Sequence, residues 1–282
     1  MKIYKTKKST IISYEGKFYL TSESWDILIN RNELHHYLVA ETKKLMPSDI
    51  AASLIEKELL PPIGSQEVWA AGVTYFRSKE ARMDESKESG GATFYDKVYD
   101  ADRPELFFKS TPERVVGHGG YVHIRKDSTW NVPEPELALF INSSGNIEGY
   151  TIGNDMSSRS IEGENMLYLP QAKTYSRSAA LGPCLYVPSA PISQHTTIAM
   201  EIIRNGKVMY SDKVQISQMK RKHTELAAWL FRELDFPVGC FLMTGTCLVP
   251  TNDFTLAVND VVNMTIDGIG MLTNTIEMKQ PA

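Results

Sequence analysis

Cysteine is scarce in this 282-residue sequence: Cys184, Cys240 and Cys247 have no metal-motif spacing and cannot all pair. A disulfide scaffold is thereby set aside in favour of a reduced interior. Surplus positive charge is missing too. Thirty Lys and Arg against thirty-four Asp and Glu leave a net charge of −4, which argues against nucleic acid or anionic lipid as a partner. No run approaches the roughly 18 apolar residues that a membrane span requires. The basic start, MKIYKTKKSTIISYEGKFYL, lacks the apolar block of roughly 7–15 residues found in a secretory signal. Repeats, low-complexity stretches, phosphate loops and dinucleotide fingerprints are absent, and GHGG (117–120) lacks the strand–helix setting such loops need. These absences predict a cytoplasmic protein with an ample core, bound to neither membrane nor nucleic acid.

What is present divides at Pro61-Pro62. Before it, two alternating runs (KIYKTK, FYLTS) predict strands. Two amphipathic stretches, 33–45 and 49–60, predict helices, the second with Ser48 as N-cap. A small N-terminal α/β domain over 1–63 and a larger domain over 64–282 are expected, with one continuous domain as the alternative. From 66 onward short strand-like runs dominate, including VWAAGVTY, LFFKST, ELALFI, EGYTIGN, TIAMEIIRN, CFLMTGT, VVNMTID and MLTNTIEM. One helix is expected near SQMKRKHTELAAWLFREL, with Met219, Leu226, Leu230 and Leu234 on one stripe. The charge-laced segment 77–91 reads as an exposed helix or lid. The fold class is α+β, mainly β: a β-rich roll, barrel or sandwich.

The stretch VPEPELALF (132–140) places two carboxylates at the head of an apolar run. That run is apolar at odd and even positions alike, so both faces of the strand are expected to be covered. Glu134 and Glu136 share a face. If the following NSSGN turn is centred on Ser144-Gly145, with 143 opposite 146, Asp155 lies opposite Glu134 and Gly153 opposite Glu136, leaving room beside the acids. Three carboxylates would then converge. Oxygen-only ligands suit Mg²⁺, with Mn²⁺ or Ca²⁺ as substitutes, and leave coordination sites for a ligand. The alternative is a carboxylate cluster capped by Arg or Lys.

Lys173 is a candidate general base on the same face, or else a solvated lysine. Arg159, Glu162 and Glu164 would line the site or pair with one another. Glu105 and Lys109 share a strand face as a second acid–base pair. His118 and His123 read as turn and strand residues, not ligands.

The ordered series VWAAGVTY, RPELFFKSTPERVVGHGG, PEPELAL, GYTIGNDMSSRSIEGEN, LPQAK, LGP and TGT resembles the fumarylacetoacetate hydrolase family over about residues 66–275. The resemblance implies that family's mixed β-sandwich roll and a metal held by Glu134, Glu136 and Asp155. It also implies an active-site lysine at Lys173 and a substrate-carboxylate contact at Thr246. RPELFFKSTPERVVGHG, EPEL and IEGENMLYLPQAK are similar to the branch that dehydrates 2-keto-3-deoxy-D-arabinonate, and there Glu105 falls as an active-site acid. The hydrolase members' water-activating His and Glu are replaced by Ser78 and Ala81 in TYFRSKEA.

The implied activity is metal-dependent dehydration of a 2-keto-3-deoxy sugar acid through an enolate. Lys173 would be the base and Glu105 the acid, with Lys109, Arg159 and Thr246 on the substrate. A homodimer or homotetramer is implied. An acylpyruvate-type hydrolase, an oxaloacetate decarboxylase and a calcium-stabilised sugar-binding module are the alternatives.

Overall fold

A computed structural model of the chain describes residues 1–76 and 97–280. The expected helix or lid at 77–91, and with it Ser78 and Ala81, lies outside those residues.

A ten-stranded sheet carries the site. Along one path run Lys17–Thr21, Thr10–Tyr14, Lys2–Lys5, Ala179–Tyr186, Ile147–Asp155, Pro135–Ile141, Cys240–Met243, Glu67–Gly72 and Glu105–Ser110, with Val115–Val116 beside Ala179–Tyr186. A five-stranded sheet orders Lys207–Gln215, Thr197–Arg204, Val261–Ile266, Gly270–Met278 and Tyr121–Ile124. Odd-numbered side chains of the central strand (Leu137, Leu139, Ile141) pack with Met200, Ile202, Met264 and Leu272 of the smaller sheet. Even-numbered ones (Ala138, Phe140) pack with Leu28, Ile29, Leu34 and Leu38 of two short helices, Trp25–Ile29 and Leu34–Thr42. Every residue of Pro135–Ile141 is buried. The two-sided apolar pattern therefore reads as a strand between two layers, as expected.

The first sixty residues do not sit apart from that sheet. Ile3 pairs with Leu185, so the N-terminal strands extend the large sheet and share its outer core. Their helices are shorter than the periodicity implies, at Leu34–Thr42 and Ala51–Glu58. Ser48 does not cap the second: its N–H donates to the Phe18 carbonyl at 2.8 Å, and Ile50 takes the cap position. Pairing of Pro47 with Tyr19 holds Ser48 one step too early. Likewise, the C-terminal helix spans only His223–Leu230. Met219 is drawn into a bridge with Tyr75, and Leu234 lies exposed beyond the helix end. Among the described residues no helix is long and apolar enough to cross a membrane.

The hairpin that sets the acidic cluster differs from expectation in a self-cancelling way. Its turn closes between Asn142 and Asn146, not 143 and 146: the Asn142 N–H donates to the Asn146 carbonyl at 2.9 Å. Gly145 takes φ +81, a conformation other residues adopt at a cost. Ile141 consequently pairs with Ile147, and a bulge at 148 restores the register, so that Phe140 faces Gly149 and Glu136 faces Gly153. The bulge has its own use. It swings Glu148 outward, where the carboxylate accepts the N–H groups of Glu33 and Leu34 at 3.1 and 2.9 Å. A helix N-terminus that its own residues leave uncapped is thus satisfied from the sheet.

Candidate active site

Beyond the bulge the strands deliver three carboxylates to one place. Glu134 and Asp155 meet where the Asp155 N–H donates to the Glu134 carbonyl at 3.0 Å. One oxygen from each of Glu134, Glu136 and Asp155 lies within 4.8 Å of the others, and all three residues are buried. The space expected above Gly153 is taken by the Met243 side chain, 3.0 Å from where a Cβ would stand.

Burying three carboxylates needs compensation, and three cations supply part of it. Lys173 Nζ reaches Glu134 Oε2 at 2.6 Å, Asp155 Oδ2 at 3.2 Å and Glu162 Oε1 at 3.2 Å, with Ser157 Oγ at 2.5 Å. Arg159 bonds the other oxygen of Glu134 and approaches Glu162 at 3.7 Å. Lys109, fully buried, touches Asp155 and donates to the Met156 and Lys173 carbonyls at 2.9 and 2.5 Å. The acids thus converge as a metal set and are also capped, so both readings of the sequence hold in part. Charge decides between them. Among the described residues, four carboxyl groups (Glu134, Glu136, Asp155 and Glu162) face three basic side chains (Lys109, Lys173 and Arg159).

The deficit falls on Glu136. Its Oε2 accepts the Gly245 N–H at 2.6 Å, while burial first, and then the charges of Asp155 and Glu134, push its carboxyl well above the usual carboxylate range. A divalent cation would relieve that repulsion. The donor set, all oxygen and partly open, fits Mg²⁺ or a similar hard ion. A cavity of ≈ 20 Å³, about the room one ion or water needs, is lined by Ala71, Gly72, Phe107, the three acids, Arg159, Lys173, Gly245 and Thr246.

Glycines shape two walls of this cavity. Gly245 has φ +93, and a Cβ there would lie 2.0 Å from Thr74 Oγ1. Thr74 in turn donates to the Thr244 carbonyl at 2.7 Å. Gly245→Ala should therefore cost about 1–3 kcal/mol and misplace the Glu136 donor. A thermal melt within error of the parent, with unchanged metal affinity, would contradict this. At the other wall Glu105 pairs with Gly72, and its Oε2 lies 2.1 Å from where a Gly72 Cβ would be.

Of the residues expected from sequence, Glu134, Glu136, Asp155, Lys173, Arg159 and Thr246 are brought together around the cavity, with Glu105 at its Gly72 edge. Lys109 is not on the cavity wall. Its ammonium lies behind Asp155 instead of beside Glu105. His118 stays in a turn, its Nδ1 accepting the Thr273 N–H, and His123 is buried in its strand near Glu277. Sequence reasoning left out Ser157 and the Gly245 N–H. Ser157 was detectable, since it stands two residues after Asp155, as Glu136 stands two after Glu134. The Gly245 donor was not, because a backbone N–H leaves no residue-type signal.

A family model described as fumarylacetoacetate hydrolase, C-terminal, matches residues 68–277. A Haloferax volcanii protein described as a probable 2-keto-3-deoxyxylonate dehydratase is 46% identical over 225 residues, 79% of this chain and 76% of its own length. The 2-dehydro-3-deoxy-D-arabinonate dehydratase of Saccharolobus solfataricus is 42% identical over 221 residues, 78% and 74% of the two chains. A solved structure of 2-keto-3-deoxy-D-arabinonate dehydratase complexed with magnesium and 2,5-dioxopentanoate superposes with a TM-score of 0.84 at 34% identity, covering both chains fully. With the family model matching well over half of its length, the chain belongs to the fumarylacetoacetate hydrolase family.

Proposed function

We propose that this chain is a divalent-metal-dependent hydro-lyase that removes water from a 2-keto-3-deoxy sugar acid, giving 2,5-dioxopentanoate from the five-carbon substrate. The observation that carries the reading is the trio Glu134, Glu136 and Asp155, held within 4.8 Å at a cavity that Lys173 also lines. These three residues would hold Mg²⁺, or Mn²⁺ or Ca²⁺ in its place. Such an ion supplies Lewis-acid stabilisation for negative charge growing on a 2-keto oxygen.

The remaining steps belong to side chains. Lys173 Nζ takes the C3 proton. That nitrogen is held by Glu134 Oε2 at 2.6 Å and Asp155 Oδ2 at 3.2 Å, and as base it acts in its neutral amine form. The C4 hydroxyl leaves as water after protonation by Glu105, whose carboxyl lies over Gly72 at the cavity edge. Tautomerisation completes the dioxo acid. Thr246 and Arg159 face the cavity as substrate contacts. Lys109 acts from behind, fixing Asp155 and the Lys173 backbone.

Relatives named as dehydratases at 46% and 42% identity support this reading over acylpyruvate hydrolysis or oxaloacetate decarboxylation. Incubation with 2-keto-3-deoxy pentonates and hexonates, acylpyruvates and oxaloacetate plus Mg²⁺, followed by mass, should give loss of water from a sugar acid alone. Release of CO₂ or pyruvate as the main product would replace it with one of those alternatives. A calcium-stabilised binding module would turn over none of them. The assembly we propose is a cytoplasmic homodimer or homotetramer.

A further inference from the structure

At Tyr175 and Ser176, just after the helix that carries Lys173, lies a second cleft, of ≈ 690 Å³, within the range of small-ligand pockets. Its walls come from separate parts of the chain. Arg114 follows the sheet's outer strand Glu105–Ser110, Arg125, Lys126 and Asp127 end the strand Tyr121–Ile124, and Lys279 follows Gly270–Met278. Tyr175 forms the wall shared with the acidic cluster. Its ring lies 5.6 Å from the Arg125 guanidinium on the cleft side and 5.9 Å from Lys109 Nζ on the other.

Charge here runs against the rest of the molecule. Arg125 is engaged by Asp127 and by the Gln171 carbonyl at 3.0 Å. Arg114, Lys126 and Lys279 form no ion pair among the described residues, and Asp127 is the sole carboxylate on the walls. In a chain of net charge −4, surface cations are ordinarily interspersed with acids. Three cations from three segments that line one cleft, without ion pairs among the described residues, repel one another unless an anion sits between them. The Tyr175 hydroxyl is buried without a hydrogen-bond partner, so the shared wall also holds an unused polar group.

We infer that this cleft binds a small phosphorylated anion. A carboxylate offers one charge and one pair of oxygens, whereas a phosphate monoester carries about −1.5 to −2 at neutral pH and three acceptor oxygens. It can therefore answer cations arriving from several directions. The site does not depend on the reaction proposed above. Its position is nevertheless close to that chemistry: Arg125 holds Gln171, two residues before Lys173.

Calorimetric titration tests the inference, using inorganic pyrophosphate as probe and acetate as the monoanion control. The full chain is stripped of divalent metal, so that the probe cannot enter through a bound ion. Saturable one-to-one binding of pyrophosphate is expected, at least about tenfold tighter than acetate. Arg114 and Lys279 are exposed, so the Arg114→Ala/Lys279→Ala double variant should fold and melt as the parent does. It should bind pyrophosphate at least about tenfold more weakly. No saturable binding, acetate binding as tightly, or an unchanged affinity in the double variant would each overturn the site. Retention of affinity in that variant together with its loss in Glu136→Gln would place the probe in the acidic cluster instead.

Discussion

Lys173→Ala should lower kcat by about 10²- to 10⁴-fold, the usual contribution of a positioned general base, while the variant still binds Mg²⁺. The lysine ammonium touches Glu134, Asp155 and Glu162 and is almost fully buried. Deleting it removes the proton acceptor and the shared partner of three buried carboxylates. The metal-free variant should therefore be less stable, by the few kcal/mol typical when one partner of a buried pair is removed. Mg²⁺ should restore more stability to it than to the parent, since the ion then meets more uncompensated negative charge. Lys173→Met, which keeps most of the side-chain volume, separates chemistry from packing: it should melt closer to the parent yet turn over no faster than the alanine variant. Near-normal kcat in either variant would remove Lys173 from its role, and weakened metal affinity with turnover restored at saturating Mg²⁺ would make it a support for the ligands instead.

Glu136→Gln should weaken Mg²⁺ binding by at least about 100-fold, because even outer-shell changes at metal sites cost 10- to 100-fold. It should also flatten the pH dependence of the metal-free protein. In the folded chain the Glu136 carboxyl is held well above its ordinary value of 4.5, chiefly by burial. Between these two values the folded chain keeps a proton that the unfolded chain has released. Stability from this group is therefore complete below about pH 4.5 and is lost as pH rises through the raised value. Between a pH near 4.5 and one well above it the metal-free Tm should fall, and that component should be missing in Glu136→Gln. Added Mg²⁺ should raise the parent Tm more at the higher pH, where it no longer competes with the proton. An equal metal-induced shift at both pH values, or the same slope in the variant, would show that Glu136 is not the group being neutralised.

How far the site was legible depended on which interactions are local. Strand period alone puts Glu134 and Glu136 on one face, and the hairpin brings Asp155 opposite Glu134 at a separation of only 21 residues in sequence. The register was read correctly from a turn that was read wrongly. A loop closing at Asn142 and Asn146 and a bulge at Glu148 each shift it by one, in opposite senses. Nothing local announces that bulge, because its reward is remote: Glu148 caps a helix more than a hundred residues earlier.

Lys109 shows the opposite case. Strand alternation grouped it with Glu105, but the chain brings it behind Asp155, 46 residues away, where three acceptors surround its ammonium. The helix ends fared similarly. Ser48 and Met219 have the right residue types for a cap and a helix stripe, yet backbone pairing with distant strands claims both positions.

By itself, then, the amino-acid order determined a mainly β chain, a buried two-faced strand headed by acids, and the three carboxylates that its hairpin brings together. These follow from period, composition and short-range pairing. Only the assembled sheets decided that Lys109 stands behind Asp155, that Gly245 presents its N–H to Glu136, that burial and two neighbouring acids bear on Glu136, and that Arg114, Lys126 and Lys279, without ion pairs among the described residues, line one cleft beside Tyr175. Each of those facts is a sum over groups far apart in the chain, and electrostatic energy and desolvation depend on distances through space that no local pattern encodes.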